Sequence, residues 1–430
     1  KYQWLLNVIT WFINLVADVG VGIMLFTLAL KLITLPLDIF SRASMKKNAL
    51  KMEMMRGDLE KLQKQYANNK QLYQQKMMAL YKKNGYSAFS ACLPTIVTLV
   101  FFFIVIGAFN SYSKQTDFQV FKDMGAAYDA QLTQTIDANG DSIVYNDEDK
   151  SYSINLDFVL NKEDYRKYFT VVENMSVTDE NRYILRSDLT AEEVEFIKTY
   201  LGITDENFEL NDDNRKANSV NFVKKAAEKY DDEYILTDAR KAAADTYESN
   251  RSKSVVFPWV KNLWVVDSPF KPAIPTYSNL SSTLYGKNGN PSFTEDKYNE
   301  LTADLDKYKQ TGFGKGNGLY ILVALSILTM HASTLIMNKT QKTQMELSTV
   351  DGANGQAAMQ QKMMTWMMPI MFGIFAFIYS AGFSIYMVTS SILSTCFTLL
   401  INFCVEKSFK NKLAKEDAVK NEKPRYGKRR

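Results

Sequence analysis

Five long apolar runs constrain this chain more than any other feature of its sequence. They lie at residues 20–37, 91–109, 319–337, 363–379 and 383–405. A helix of about 20 apolar residues crosses the roughly 30 Å hydrocarbon layer of a bilayer. In that layer only helices or closed barrels satisfy every backbone polar group. The sequence therefore predicts an all-α polytopic membrane protein whose five spans form a bundle.

A long polar region, residues 113–257, separates the second span from the third. The segment Asn139-Gly140 lies between β-prone runs and predicts a hairpin turn. Thr190 and Glu193 have the spacing of a capping box at the start of a helix. Further helices are predicted in NFVKKAAEKY and DARKAAADTYESN. We expect a small α+β domain inserted into the bundle, and we find no catalytic motif in it.

The charges of the connecting segments predict which side of the membrane each occupies. Residues 38–86 contain 11 basic and 4 acidic residues, and residues 406–430 contain 10 and 4. The inserted region, in contrast, has 18 basic and 30 acidic residues, a net charge of −12. Short cytoplasmic loops collect Lys and Arg, so the amino terminus is predicted outside and the carboxyl terminus inside. Such an outside terminus suggests that a signal peptide was removed or is not included.

These observations divide the chain into segments with predicted roles. Spans occupy residues 18–40, 88–112, 318–337, 363–380 and 383–405. The remaining segments are an interfacial helix at 1–17, a cytoplasmic helical hairpin at 41–86, the extracytoplasmic domain at 113–257, an interfacial helix and outer loop at 258–317, a cytoplasmic loop at 338–362 and a basic cytoplasmic tail at 406–430.

The first residues of the chain are rich in Trp and Leu and carry few charges. Trp4 and Trp11 suit the headgroup depth of a membrane, which favours a separate interfacial helix. The alternative is that this stretch begins one long first span.

Methionines are concentrated on the apolar stripe of the predicted hairpin. The candidate client contacts there are Met52, Met55, Met77 and Met78. Methionine is flexible and polarizable, which suits a surface that accepts varied apolar partners. The equally plausible alternative is that these side chains hold the two helices of the hairpin together.

Lys31 lies inside the first span, where a charge costs about 2.5 to 3.5 kcal/mol at the helix centre. Hydroxyl groups and one imidazole in other spans could share a hydrated groove with it. The candidate groove lining is Thr95, Thr98, Ser326, Thr329, His331, Thr389, Ser390 and Ser394. Two alternatives remain open, because Lys31 could extend its amine to the cytoplasmic interface and each hydroxyl could bond a carbonyl one turn back.

Enzymatic functions fit the sequence poorly. The chain contains no HExxH, GxSxG, Walker or dinucleotide-binding glycine motif. His331 is the single histidine, and no second ligand type has a spacing suited to a metal. We expect no enzyme activity, no metal and no cofactor.

Three stretches resemble the YidC membrane protein insertase family, which is bacterial with mitochondrial and thylakoid relatives. They are LPLDIFSRASMKK, QQKMMALYKKNGYSAFSACLPTIV and QQKMMTWMMPIMFGIFAFIYSAGFSIYMVTSSI. The resemblance covers about residues 20–112 and 255–407. It implies a five-span insertase in a bacterial plasma membrane that inserts clients, and helps them fold, through a groove open to lipid and cytoplasm. Lys31 then stands where the family has an arginine, and the large inserted domain is a second departure.

The resemblance implies nascent membrane proteins and the lipid bilayer as partners, no DNA, and a functional monomer. The apolar segment of a client would slide along Leu99, Phe102, Phe103, Ile106, Met364, Met367, Met371 and Phe375. The basic tail is compatible with the ribosome but equally with orientation and anionic lipid, and cooperation with the Sec channel is open. A competing function is a membrane-anchored extracytoplasmic receptor or binding protein whose working part is residues 113–257.

Overall fold

A computed structural model of the chain describes residues 3–85, 88–146, 151–285, 293–340 and 356–422. The chain folds into two compact units, a bundle unit comprising Lys1–Asp117, Ser252–Gly286 and Lys307–Arg430, and an inserted unit comprising Phe118–Arg251 and Lys287–Asp306. The elements in chain order are α1 Gln3–Asn14, α2 Val19–Gln65, α3 Lys70–Lys83, α4 Ala88–Ala138, β1 Ile143–Asn146, β2 Ser151–Ile154, α5 Leu156–Lys162, β3 Phe169–Val171, β4 Tyr183–Leu185, α6 Ala191–Leu201, α7 Asp212–Tyr230, α8 Thr237–Asn250, α9 Tyr277–Tyr285, α10 Glu295–Leu301, α11 Asp306–Lys309, α12 Ile321–Thr340, α13 Gln356–Ile378 and α14 Ala381–Glu422.

Two helical stretches in the described part of the chain are long and apolar enough to cross a membrane. They are Val19–Phe40 on α2 and Ala381–Cys404 on α14. Shorter apolar stretches occupy Ile321–Met337 and Pro369–Ile378. The predicted span at 91–109 lies on α4, where many of the side chains before residue 100 are outside the described part.

The core of the bundle unit is built largely from aromatic side chains. Phe26 of α2 packs 5.8 Å, between ring centroids, from Phe109 of α4. Phe109 in turn lies 6.2 Å from Phe383 of α14, and Phe102 lies 4.5 Å from Phe372 of α13. These edge-to-face and tilted contacts are the geometries that aromatic rings prefer. They join four helices around one apolar core.

Helices α1 and α2 are separate, as the interfacial-helix prediction requires. Asp18 lies between them and caps α2, because its carboxylate accepts the N–H of Val21 at 3.1 Å. Gly22 lets α1 approach closely, since a Cβ there would lie 2.8 Å from the backbone of Ile13. Leu5 and Ile9 face the core, while Trp4 and Trp11 are 63% and 59% exposed.

The inserted unit has helices and two small antiparallel sheets, β1 with β2 and β3 with β4. Phe222 of α7 is fully buried at its centre and stacks 4.3 Å from Tyr200 of α6. The predicted capping box at Thr190 and Glu193 is present. Both predicted helices, now α7 and α8, are confirmed, and a π-helical turn, Asp231–Leu236, joins them.

Three local predictions differ from the structure. Asn139-Gly140 follows the end of α4 instead of forming the hairpin turn, and β1 and β2 flank residues 147–150. The stretch around Trp259 and Trp264, predicted to be an interfacial helix, contains turns and no regular helix. Residues 287–306, predicted to belong to an outer loop, are part of the inserted unit. There Tyr298 of α10 stacks 5.7 Å from Phe121.

Candidate functional site

Lys31 lies at the border between the packed and exposed faces of α2. Phe26, Thr27 and Leu30 on one side are buried, whereas Ile33 on the other side is 73% exposed. Lys31 itself is half-buried, and among the described residues it forms no ion pair within 4.0 Å. The neighbouring backbone is occupied, because Thr34 donates its hydroxyl to the Lys31 carbonyl at 3.2 Å.

Two predicted hydroxyls of α12 bond to backbone carbonyls, and among the described residues no hydrogen bond joins them to Lys31. Ser326 donates to the carbonyl of Leu322 at 2.7 Å and lies 3.3 Å from the carbonyl of Ser384. Thr329 donates to the carbonyl of Leu325 at 2.7 Å. These bonds are of the kind that runs one turn back along a helix. The hydroxyls of these two predicted groove residues therefore already have hydrogen-bond partners. The bonds do not establish a cavity shared with Lys31.

The other predicted lining residues have varied surroundings. The ring of His331 lies 4.9 Å from that of Trp366 on α13. Thr389, Ser390 and Ser394 of α14 are half-buried. Ser394 accepts the hydroxyl of Thr398 at 2.6 Å through its carbonyl. The side chains of Thr95 and Thr98 lie outside the described residues.

The buried hydroxyls that sequence reasoning missed include those of Thr27 and Ser384. Thr27 is one helical turn before Lys31, is fully buried and donates to the carbonyl of Ile23 at 2.7 Å. Its spacing of four from Lys31 could have identified it. Ser384 is fully buried, and its hydroxyl has no hydrogen-bond partner within the described structure. It lies in the first turn of α14, at the start of the predicted last span.

The predicted client slide divides into exposed and packed side chains. Phe103 and Met367 are 51% and 54% exposed. Met371 and Phe375 are half-buried against the core, as is Phe102, and Ile106 is buried. Ile106 is therefore not part of a lipid-facing surface. The side chains of Leu99 and Met364 lie outside the described residues.

A stripe on α13 that the sequence reading missed is more exposed than the predicted one. It comprises Ile370, Ile374, Phe377 and Ile378, which are between 50% and 62% exposed. With Met367 these positions recur at spacings of three and four, the repeat of one helix face. The predicted stripe through Met371 and Phe375 is rotated toward the core.

The helical hairpin, α2 beyond residue 40 with α3, uses its methionines in two ways. Met55 is 2% exposed and packs with Leu59 and Tyr81, with Met77 half-buried against them. Met78 is 58% exposed, and Met54, which the stripe prediction omitted, is 86% exposed. The buried methionines hold the helices together while the exposed ones are available for partners. The side chain of Met52 lies outside the described residues.

Residues 252–274, named here the irregular segment, bond to the starts of several bundle helices and to the middle of α4. Asp18, which caps α2, accepts the Ser254 hydroxyl at 2.6 Å. Ser113 of α4 donates to the carbonyl of Trp264 at 2.9 Å. The N–H groups of Ala381 and Gly382 donate to carbonyls of this segment at 2.9 and 2.7 Å. Side-chain and turn bonds thus satisfy a backbone that has no regular structure.

Asp267 of the irregular segment caps α12. Its two carboxylate oxygens accept the N–H groups of Leu319, Tyr320 and Leu322 at 2.8, 3.2 and 2.7 Å. Burial raises the pKa of Asp267, and these backbone bonds oppose the rise. Gly318 is required beside it, because a Cβ there would lie 1.9 Å from the carboxylate. The carboxylate fixes where the helix begins.

Two amides and a carboxylate complete this polar cluster. Asn317 is fully buried, donates to the carbonyls of Asn262 and Val266 at 2.9 Å each and accepts the Asn262 N–H at 2.8 Å. Burial raises the pKa of Asp117 to about 7, while a hydrogen bond from Asn262 lowers it. Nothing in the apolar periodicity of the sequence points to these residues.

Comparison with known proteins gives one family match and several relatives. The family described as 60Kd inner membrane protein matches residues 11–146 and 249–408, more than half of the chain. A Membrane protein insertase YidC of Treponema denticola is 34% identical over 101 residues, which are 24% of this chain and 17% of the relative. The proteins of the same name from Fusobacterium nucleatum and Clostridium perfringens are 34% and 37% identical over 96 and 100 residues.

These alignments are partial. Each of the last two covers 22% of this chain, and they cover 45% and 40% of the respective relatives. The chain therefore aligns with less than half the length of each of these relatives. No solved structure matches the chain.

Proposed function

Because the chain belongs to the 60Kd inner membrane protein family, we propose that it is a membrane protein insertase that also assists the folding of its clients. The observation that carries the proposal is the family match on both sides of residues 147–248. The matched ranges, 11–146 and 249–408, include all five predicted spans. We place the protein in a bacterial plasma membrane as a five-span bundle, amino terminus out and carboxyl terminus in.

Lys31 supplies the charge of a hydrophilic groove in this proposal. Its position between the packed and exposed faces of α2 supports a site reached by both water and lipid. Intramembrane charges usually face a bundle interior or a water-filled cavity. The amine attracts an acidic loop or amino-terminal segment of a client. A lysine keeps the positive charge of the family's arginine but lacks its planar five-donor fork, so the groove recognises charge more than geometry.

The apolar segment of the client moves along exposed side chains of α4 and α13. Phe103, Met367 and the stripe at Ile370 and Ile374 present such a surface. Transfer of apolar surface into lipid gains about 25 cal/mol per Å². This gain drives release, so the reaction needs no nucleotide and no covalent step.

The cytoplasmic hairpin meets the client first. Met54 and Met78 give it flexible apolar contacts that tolerate varied sequences. The tail at 406–430 adds basic charge that suits ribosomal RNA or anionic lipid. The proposal also includes cooperation of the protein with the Sec channel and with the ribosome.

The groove is closed on the extracytoplasmic side by the irregular segment. Its hydrogen bonds to the starts of α2, α12 and α14 and to Ser113 of α4 support this closure. A closed outer end keeps ions from leaking while the cytoplasmic side stays open. Polar groups of the client then cross only the short remaining path through the membrane. The short path matters because each of these groups is costly to desolvate.

Insertion of a defined client into proteoliposomes tests this function. The full chain is reconstituted, and a single-span client with an acidic amino-terminal segment is scored by protease protection. We expect Lys31→Ala to slow insertion on the order of tenfold, the loss of one charge-assisted contact. Lys31→Arg retains or improves the rate, and Lys224→Ala, which removes an exposed lysine of the inserted unit, is the matched control.

The possible outcomes test the insertase function and the groove mechanism separately. Failure of the wild-type chain to insert the client contradicts the insertase proposal. Normal insertion by Lys31→Ala contradicts the groove while leaving the insertase identity intact.

A further inference from the structure

Four aromatic rings form a continuous series from α13 to the loops at one end of the bundle unit. The ring of Phe377 on α13 lies 5.3 Å from that of Tyr320. Tyr320 lies 6.3 Å from Phe270 of the irregular segment, and Phe270 lies 5.7 Å from Phe313. Phe270 and Phe313 are 60% and 72% exposed. The two rings of this aromatic series that lie in loops are therefore exposed and not buried in the core.

The backbone holds Tyr320 in an unusual conformation. Its φ of 62° lies in the left-handed region, which bulky side chains rarely adopt. Asp267 accepts its N–H, and Ser268 donates its hydroxyl to the Tyr320 hydroxyl oxygen at 2.8 Å. These bonds fix the ring that links the membrane-facing helix to the loop.

The loop also holds Phe313 outward. Gly312 and Gly314 flank it, both with positive φ, at 116° and 75°. The Gly312 N–H donates to the carbonyl of Pro269 at 2.6 Å, and the N–H groups of Lys315 and Gly316 bond back to the Gly312 carbonyl. Phe313 thus projects from a turn tied to the segment that carries Phe270.

Charge near the series is positive. Lys271 and Lys315 are exposed beside Phe270 and Phe313. Between residues 267 and 274 and between 311 and 320 the only acidic residue is Asp267, which is fully buried and used by the cap of α12. Exposed aromatic rings flanked by lysines fit the boundary between acyl chains and phosphate groups.

We propose that the aromatic series anchors the extracytoplasmic end of the bundle in the headgroup region of the outer leaflet. The occupant is phospholipid. The series is continuous with the exposed apolar side chains of α13, including Ile374 and Ile378, which face acyl chains in the proposed arrangement. The inference rests on α12 and α13 being spans, and it does not depend on insertion of clients.

Fluorescence quenching in vesicles tests the anchor. Cys92, Cys396 and Cys404 are replaced by serine in the full chain, and single cysteines are introduced as Phe313→Cys and, separately, Phe270→Cys. Each is labelled with an environment-sensitive fluorophore and reconstituted into phosphatidylcholine and phosphatidylglycerol vesicles without any client. Thr311→Cys, an exposed position in the same loop outside the aromatic series, is the matched control.

We expect nitroxides near the headgroup to quench labels at 313 and 270 more strongly than nitroxides at the end of the acyl chain. Aqueous iodide should quench these labels less than the label at 311. Equal iodide access at all three positions with no lipid quenching overturns the proposal. Protection from iodide that appears only when a client is added in a second measurement, without quenching by the lipid nitroxides, also overturns it, because the series is then a client surface. Since the vesicles contain no client, failure here is distinct from failure of the insertase function.

Discussion

The helix α2 determines where Lys31 lies, but it does not determine which side chains surround the Lys31 amine. The apolar run at residues 20–37 places Lys31 within a predicted span, and the structure places it beside the buried pair Thr27 and Leu30. The hydroxyls predicted to surround it lie on other helices, and Ser326 instead bonds within α12 and toward Ser384. Periodicity determines the face of a helix, but contacts between helices depend on packing that no local pattern encodes.

Asp117 predicts a dependence of stability on pH. Its pKa is raised by burial from 3.8 to about 7. Between these values the folded protein binds a proton that the unfolded chain releases, so stability falls as pH rises through this range. A tenfold change in acidity corresponds to about 1.4 kcal/mol. We expect the wild-type chain in detergent to melt at lower temperature at pH 8 than at pH 5.

Asp117→Asn should reduce this difference and raise the melting temperature at pH 8, because the neutral amide needs no costly ionisation. Asp137→Asn, at an exposed position of α4, is the matched control. Thermal unfolding followed by circular dichroism measures both variants. An unchanged pH dependence in Asp117→Asn contradicts the assignment.

At the scale of elements, the sequence predicted the long helices well, and the short helices and irregular structure poorly. Apolar and amphipathic periodicity identified α1, α7, α8 and the cores of the long helices, because these signals are local. The turn at Asn139-Gly140 was misplaced, since α4 extends to Ala138 and the strands begin after it. The irregular segment resembled an interfacial helix in composition, yet side-chain bonds to distant residues determine its course.

Substitution of Asn317 tests whether side-chain hydrogen bonds hold the irregular segment in place. Asn317→Ala removes three side-chain hydrogen bonds to the irregular segment. A buried group left without its partner costs about 1 to 3 kcal/mol, so we expect a fall of several degrees in the melting temperature. Asn14→Ala, at an exposed position on α1, should have little effect. Equal melting temperatures for the two variants would show that the segment is not held by this amide.

The hairpin predicts different results for neighbouring methionines. Met54→Ser and Met78→Ser alter exposed side chains, so we expect weaker photocrosslinking to a client with unchanged stability. Met55→Ala empties a buried site, and such changes cost about 2 to 5 kcal/mol. Hydrogen exchange should then accelerate across α2 beyond residue 40 and across α3. Loss of crosslinking in Met55→Ala alone, with none in the exposed variants, contradicts this division of roles.

At the scale of the whole molecule, the inserted unit is only partly visible in sequence. Composition predicted residues 113–257, but the unit also takes in residues 287–306. There Lys297 of α10 pairs with Asp129 of α4 at 2.9 Å. No charge or hydropathy shift marks this second piece, because it contributes only short helices separated from the rest along the chain. The family match leaves out residues 147–248, which lie in the inserted unit, and includes residues 287–306.

The proposed orientation predicts which introduced cysteines face the outside of a cell. In the cysteine-free chain, Thr133→Cys lies in the inserted unit and Lys61→Cys in the hairpin, both at exposed positions. We expect a membrane-impermeant maleimide to label position 133 in intact bacteria and position 61 only after permeabilisation. The reverse pattern would contradict the charge argument for the orientation.

The groove mechanism requires water at position 31, and the reactivity of an introduced thiol reports whether water is present there. Single cysteines are introduced as Lys31→Cys and Ile33→Cys in the cysteine-free chain and exposed to a water-soluble maleimide from the cytoplasmic face of membrane vesicles. Maleimide reacts with the thiolate, which forms in water and not in hydrocarbon. We expect rapid labelling at position 31, which faces the hydrated groove. We expect none at position 33, which is 73% exposed on the protein surface but faces lipid in this proposal. Position 31 remaining as unreactive as position 33 would contradict it.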